Sequence, residues 1–502
     1  MKGLTIHAFV AAASLILNTA VFAATQACSP SAMSKRDYGG RPLRILVHEK
    51  PVMGEPMALN AERFAALTGA DLSVTHVPFG DLYQEMMVPF LLGEDAYDVV
   101  VYGSLWIGDV APYIAPVPAR FLETPELRSV TPTYRQIASW DGRMIQFPID
   151  GDRHYLKYRK DALENPDYQA RFQKVYGRSL TVPTTWQEYE EVARFFSGWD
   201  WDGDGALEYG AAEYTSVAGM MVFSSFMSRA APYAKHPDVP GGFFFDLETM
   251  EPLIDTPGFV RALEDMVRAR QYWPPNGDQF TVVDEIESFG GGQTALSFTY
   301  DDSTARAMEP GSPIAGEMGF APPPGSREVW NRRTGQWDHF AEPNVVPYIA
   351  WGWTSAVAAS SPNRDMAFDY LCFFITDENH NHDLGIGRFG VNPFRSSDFS
   401  WAYYHRQAGW PEAAARDYAA ALAFVDGAPH KVLDLRTPGV NQFMEALVTG
   451  ISAALHDGVA PKEALERVAA DWRNIANEIG IEEVRAAYRS VVAVEDGIPP
   501  TN

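Results

Sequence analysis

The sequence predicts an α/β protein built on mostly parallel sheet with helices on both faces. Three observations predict it. Runs of strand length alternate with segments of helical spacing through the first hundred residues. Two of the first three strands are near-continuous apolar runs, as buried parallel strands are. The composition, 46% hydrophobic and 21% charged over 502 residues, is that of a globular chain with a core to bury. At that length two to four domains are expected.

The first strand is read over residues 43–47. A helix follows over 56–68, with Ala61, Phe64, Ala65 and Thr68 at helical spacing and Gly69 as its stop. Residues 72–77 alternate like a strand. Residues 81–92 read as helix apart from Pro89, and 97–102 as a buried strand closed by Gly103. In sheets of this kind ligands bind beyond the carboxyl ends of the strands. His48 and Glu49 follow the first strand, and Ser104 and Trp106 follow the third, so all four are candidates.

Further along, 257–272 is a helix with Phe259, Leu263, Met266 and Val267 apolar. The Gly290-Gly291-Gly292 turn leads into a short strand at 294–298. Residues 461–480 form a helix whose stripe runs through Leu465, Val468, Trp472 and Ile479, with Gly480 closing it.

Forty Lys+Arg stand against 65 Asp+Glu, a formal charge of −25. That argues against nucleic acid, whose affinity comes mainly from basic contacts to phosphate, and against an anionic membrane surface. Thirteen Trp and 22 Tyr supply flat faces as well as core. No nucleophile elbow, phosphate loop or dinucleotide fingerprint stands out, and the histidines lack zinc-ligand spacing.

One loop has metal-like spacing. Asp200, Asp202 and Asp204 occupy positions 1, 3 and 5, Gly205 position 6 and Glu208 position 9. That pattern suits Ca²⁺, which wants six to eight oxygens on a sharply turned loop. Position 12 is Ala211 rather than a bidentate Glu, so the motif is incomplete; an Asp/Gly turn without metal is the alternative.

Residues 1–23 read as a secretory signal, with Lys2 at its start, an apolar run over 8–17, and Val21 and Ala23 as small residues before the cut. The apolar run is too short to span a bilayer. Residues 24–40 read as a tether. Lipid attachment at Cys28 is disfavoured, because the usual apolar residue three positions earlier is missing. Cys372 sits in an apolar run, as a buried free thiol would; pairing with Cys28 is open.

Strung together, these segments resemble the periplasmic solute-binding proteins of carbohydrate ABC importers. The resemblance is carried by Tyr97-Asp98-Val99-Val100 with Trp106, Asp141-Gly142 through Pro148, and Tyr155-Leu156-Lys157-Tyr158. It continues through Pro183-Thr184-Thr185-Trp186, Gly291-Gly292-Gln293-Thr294-Ala295 and Trp351-Gly352-Trp353. It implies a two-lobe periplasmic-binding-protein fold, each lobe a mostly parallel sheet, joined by a hinge, with the solute held in the cleft. Chain crossings are expected near 148–155, 285–300 and 345–355. Lobe 1 is then 41–149 plus 290–348, and lobe 2 is 150–289 plus 349–502.

The resemblance further implies a periplasmic, monomeric, non-catalytic protein that captures a sugar, oligosaccharide or polyol and delivers it to a membrane permease. No cofactor is required beyond the calcium the loop would hold. Asp150, Asp152 and Tyr155 fall at the first expected crossing, and Tyr300, Asp301 and Asp302 end the strand after the Gly-rich turn. Trp351 and Trp353 flank Gly352, where strand alternation puts both rings on one face. Arg388 and Arg395 bracket a loop that can reach the cleft. Aromatic faces pack on sugar C–H surfaces, while Asp and Arg take paired hydroxyls. The rival reading is an exported glycoside hydrolase or lyase using two of these carboxylates, for example Asp152 with Asp301; such acids stand about 5–10 Å apart, a gap that sequence does not measure. A peptide binder is a third class, and nothing in the composition selects it.

Overall fold

The computed structural model describes residues 27–495, apart from 218–219 and 310. The expected signal at 1–23 lies outside the described residues. Two sheets organise the chain. The first has the order β2 (Asp71–Val77), β1 (Pro42–His48), β3 (Val99–Gly103), β9 (Trp353–Val357), β4 (Phe147–Pro148). β1 runs parallel to β2 and to β3, whereas β9 is antiparallel to β3 and β4. The second has the order β8 (Met318–Ala321), β5 (Tyr155–Arg159), β7 (Thr294–Thr299), β6 (Tyr209–Ala212).

Only β6–β7 is parallel in the second sheet; β7–β5 and β5–β8 are antiparallel. The expectation of a mostly parallel sheet in each lobe therefore holds for the first and not for the second. β5 enters directly from the other lobe, without a crossover helix to turn it parallel to its neighbours.

The helices read from periodicity stand close to where they were expected. Gly54–Thr68 ends on Gly69 in the left-handed conformation, φ 67°, which glycine adopts without strain. Phe79–Leu92 carries Pro89 in its last turn, where the proline forgoes the hydrogen bond to the Glu85 carbonyl shortly before the helix stops at Gly93. Pro257–Ala269 and Pro461–Ile479 each bury one apolar face.

Strand pairing corrects the expected lobe boundaries in three places. Residues 294–299 pair with β5 and β6, and residues 318–321 pair with β5, so both belong to the second sheet, not to lobe 1. Residues 353–357 pair with β3 and β4 and belong to the first, not to lobe 2. The chain crosses between sheets at 149–154 and again at 345–352, as expected. The stretch 285–300 is not a crossing, because β6 and β7 are neighbours. The third passage lies between residue 399 and the helix Glu412–Gly427, which packs on β8 and β5.

Residues 27–40 are packed rather than a free tether. Cys28 is disulfide-bonded to Cys372, with Cα atoms 5.3 Å apart. Met33 is fully buried, and Pro30–Met33 makes one helical turn against the first lobe. The bonded sulfur of Cys28 is not available for lipid, and Cys372 is not a free thiol. Among the described residues no helix is long and apolar enough to cross a membrane.

Candidate functional site

The first crossing, residues 149–154, carries Asp150, Asp152, Arg153 and His154, all of them buried. Asp150 latches the two crossings together: one oxygen accepts the Trp353 amide at 3.2 Å, the other the Asn392 amide at 2.7 Å. Asp152 accepts the Gly352 amide at 3.4 Å and the Asn392 side-chain amide at 2.9 Å. The same Asn392 nitrogen reaches Asp302 at 3.3 Å. Asp302 follows β7 of the second sheet, so this one amide joins the hinge to the far lobe. Burial pushes the pKa values of Asp150 and Asp152 upward, and the charge of Asp302 raises both further. Asp302 itself is pushed up by burial, against the Asn392 hydrogen bond.

Asp301 lies beside them, 2% exposed, with Arg153 Nη1 4.0 Å away. No short hydrogen bond reaches its carboxylate, although the Tyr155 hydroxyl acts on it as a donor. Burial pushes its pKa up to about 7, opposed by the Arg153 guanidinium and the Tyr155 hydroxyl. It opens onto a cavity of about 340 Å³ between the lobes. Asn392 and Arg388 line the cavity from the first lobe, and Thr304, Tyr403, Tyr404 and Trp410 from the second. Arg388 is exposed at its edge.

Tyr300 stands over His154 with ring centroids 4.2 Å apart, and Tyr214 lies 5.4 Å beyond. The His154 Nε2 is buried without a hydrogen-bond partner, and the two hydroxyls are buried with no short hydrogen bond, Tyr300 beside Ser224 and Tyr214 beside Thr299, while His154 Nδ1 holds Ser228 at 2.7 Å. A buried polar atom left unpaired costs about 1–3 kcal/mol. Several of them converging on one seam mark a place where a polar guest would restore what burial removed.

The first lobe supplies the aromatic wall. Trp351 packs on Phe79 at 5.0 Å, Trp106 at 5.2 Å and Trp353 at 5.5 Å. Trp353 also meets His48 at 5.5 Å. The two tryptophans come together, although not by strand alternation: β9 starts at Trp353, and Trp351 precedes it in the left-handed region, φ 63°. A side chain on Gly103 would collide with the Trp351 indole, so the bare glycine backbone is the surface on which that ring lies.

Ser104 donates its hydroxyl to the Trp351 carbonyl and its amide to the Gly352 carbonyl at 3.2 Å, which makes it a brace for the tryptophan turn. His48 Nδ1 faces two carbonyls, Glu49 at 2.8 Å and Val52 at 3.2 Å. Carbonyls only accept, so Nδ1 carries the proton, and burial pushes the ring's pKa down. Glu49 is exposed.

Two expected site residues are elsewhere. Tyr155 is in the core of the second lobe, its hydroxyl bound to Thr304 Oγ1 at 2.7 Å, one residue behind the cavity. It starts β5 and faces inward, because the crossing ends one residue before it. Arg395 is buried within the first lobe, paired with Asp377 at 2.8 Å and donating to the Ile375 carbonyl. Its loop turns that side chain away from the cleft. Sequence reasoning missed His154, Tyr214 and Phe79, and Asn392 lies unnamed within the loop that Arg388 and Arg395 bracket. Phe79 starts the helix after β2, the strand-end placement that drew attention to His48, and that signal was available.

The Asp-rich loop gathers as its spacing predicts. Asp200, Asp202, Asp204 and Glu208 each offer an oxygen within 4.8 Å of the others. That is the span of two calcium–oxygen bonds of about 2.4 Å. Asp200 turns the loop by accepting the amides of Gly203 at 2.7 Å and Gly205 at 3.0 Å, glycines with φ 84° and 92°.

No curated protein sequence matches the chain. Solved structures do. Maltose-bound MalE3 of T. maritima superposes with a TM-score of 0.68 at 17% identity, covering 87% of this chain and 100% of that one. An ABC transporter solute-binding protein of Agrobacterium radiobacter K84 in complex with ribitol gives 0.67 at 19%, covering 88% and 100%. One from Agrobacterium vitis S4 with bound D-mannitol gives 0.65 at 17%, covering 88% and 99%. These likenesses establish the two-lobe binding-protein fold. The model of the bacterial extracellular solute-binding proteins matches residues 61–396, two thirds of the sequence, and the chain belongs to that family.

Proposed function

We propose that this protein captures a sugar, oligosaccharide or polyol between its lobes outside the cytoplasm and delivers it to the membrane permease of an ABC importer. One observation carries the reading. Buried polar atoms of Tyr214, Tyr300, His154 and Asp301 that make no short hydrogen bond converge at the interlobe seam, beside a wall of tryptophans. Hydroxyls would satisfy the first set and C–H faces would pack on the second. Structures of the same fold hold maltose, ribitol and D-mannitol. The reading also takes residues 1–23 as an export signal, the periplasm as the destination and a monomer as the working form.

Asp152 and Asp301 are the pair a glycosidase would use. The family is one of binding proteins, and Asp152 already spends its oxygens on Gly352 and Asn392. Thermal-shift and titration panels of saccharides and alditols, followed by product analysis, test both readings. A raised Tm with unchanged ligand is expected. Indifference to every member removes the proposal, and released reducing ends favour the enzyme.

For the Asp-rich loop we propose calcium. Four carboxylates held together repel one another without a cation, so calcium raises the Tm and a chelator reverses it. An Asp202→Asn variant that responds to calcium as the parent does removes this reading.

A further inference from the structure

The seam between the lobes carries more negative charge than it balances. Residues 149–157 and 299–304 bring Asp150, Asp152, Asp301 and Asp302 together, with Arg153 and Lys157 as the cations of those segments. Around them Glu309 pairs with Arg306 at 3.8 Å, Asp434 stands against Arg436 behind the tryptophans, and buried Glu285 faces Lys157. Written as ions the acids outnumber the cations, and burial answers by raising the pKa of each of the four aspartates, so the seam holds protons that a bound cation would displace.

The excess is poorly spent. Asp301 is 2% exposed, with no short hydrogen bond, the Tyr155 hydroxyl as its donor and its ion pair to Arg153 stretched to 4.0 Å. A single amide of Asn392 serves Asp152 at 2.9 Å and Asp302 at 3.3 Å. Uncompensated buried carboxylates are costly unless a positive group joins them. A hydroxyl brings one donor and no charge, whereas an ammonium brings three donors and a charge. The cavity onto which Asp301 opens is lined by the rings of Tyr403, Tyr404 and Trp410, whose faces attract cations.

From this we infer that the solute is an aminated sugar or aminated polyol, its protonated amine seated against Asp301 and Asp302 while its hydroxyls meet the remaining polar atoms. The inference rests on the sugar-or-polyol reading above and narrows it to one chemical class.

Isothermal titration of the exported protein at pH 7 tests it with matched sets: glucose, glucosamine and N-acetylglucosamine, then sorbitol and glucamine. In at least one set the amine binds about ten-fold tighter than its neutral parent or more, a difference of about 1.4 kcal/mol. N-acetylation, which removes the charge, abolishes the advantage. Asp302→Asn shrinks the ratio towards one, and the wild-type comparison decides the matter even if that variant does not fold. Neutral parents binding as tightly as their amines overturn the inference and leave the sugar-or-polyol reading intact. Silence from every member of both sets overturns the two together.

Discussion

Gly103 and Trp351 touch across the first lobe because neither could be placed otherwise. Trp351 holds a left-handed backbone, φ 63°, and its indole lies where a Gly103 side chain would be. Gly103→Ala forces that ring off Phe79 and Trp106. Overpacking of this kind costs about 1–3 kcal/mol, so urea unfolding should show a loss of that size with a changed tryptophan emission; an unchanged midpoint would mean that the ring has room to move. Asp301 makes a second prediction at this scale. Its pKa in the folded protein, about 7, lies above the ordinary carboxyl value of the unfolded chain. The folded state therefore binds the proton more tightly, and this contribution to stability is full below about pH 4 and lost as pH rises towards 7. The stability of the wild type minus that of Asp301→Asn should fall across that window and be flat on either side. A difference that rises with pH would show that Arg153 keeps the carboxyl ionised throughout.

Among the elements, those formed by local rules were readable and those defined by distant pairing were not. The helix Gly54–Thr68 and its Gly69 cap follow from spacing and one residue's backbone freedom. The strand Thr294–Thr299 was equally visible as a strand, but its sheet is decided by partners at 155–159 and 209–212, more than eighty residues upstream. The same limit divides the site. Strand ends pointed to His48, Ser104, Trp106, Asp301 and Asp302, whereas Tyr214 and His154 matter because the fold brings them to Tyr300. Arg395 shows the converse, since a charged residue beside a cleft loop is buried against Asp377 once the loop turns. The disulfide is another long-range pairing, spanning 344 residues between the N-terminal segment and the helix Arg364–Phe374. Closing so long a loop restricts the unfolded chain, so Cys28→Ser should lose about 2–4 kcal/mol of stability. Chemical unfolding under oxidising and reducing conditions checks this; equal midpoints would leave the crosslink without an energetic role.

For the whole molecule, the deciding quantity is the free energy between an open and a closed arrangement of the lobes. Binding proteins of this architecture close around their solute by hinge motion, and a solute stabilises closure only by the difference in its affinity for the two forms. Asn392 sits where that difference is set. It stands in the first lobe, its backbone amide and side chain hold the hinge carboxylates Asp150 and Asp152, and its side chain alone reaches Asp302 across the seam. Asn392→Ala keeps the backbone bond and deletes the two side-chain ones. Hydrogen bonds to charged groups contribute about 1.5–3 kcal/mol each, and the carboxylates left behind regain water only if the lobes part. The substitution therefore favours the open form, and the apparent affinity falls in proportion to the lost closed population. Small-angle scattering should report a larger radius of gyration for the unliganded variant. Titration with whichever saccharide or polyol binds the parent should show about ten-fold weaker binding or more, with the ligand-bound radius restored to that of the parent at saturation. A variant as compact as the parent and equally tight in binding would place the closing energy in the tryptophan wall instead, where Phe79, Trp351 and Trp353 meet.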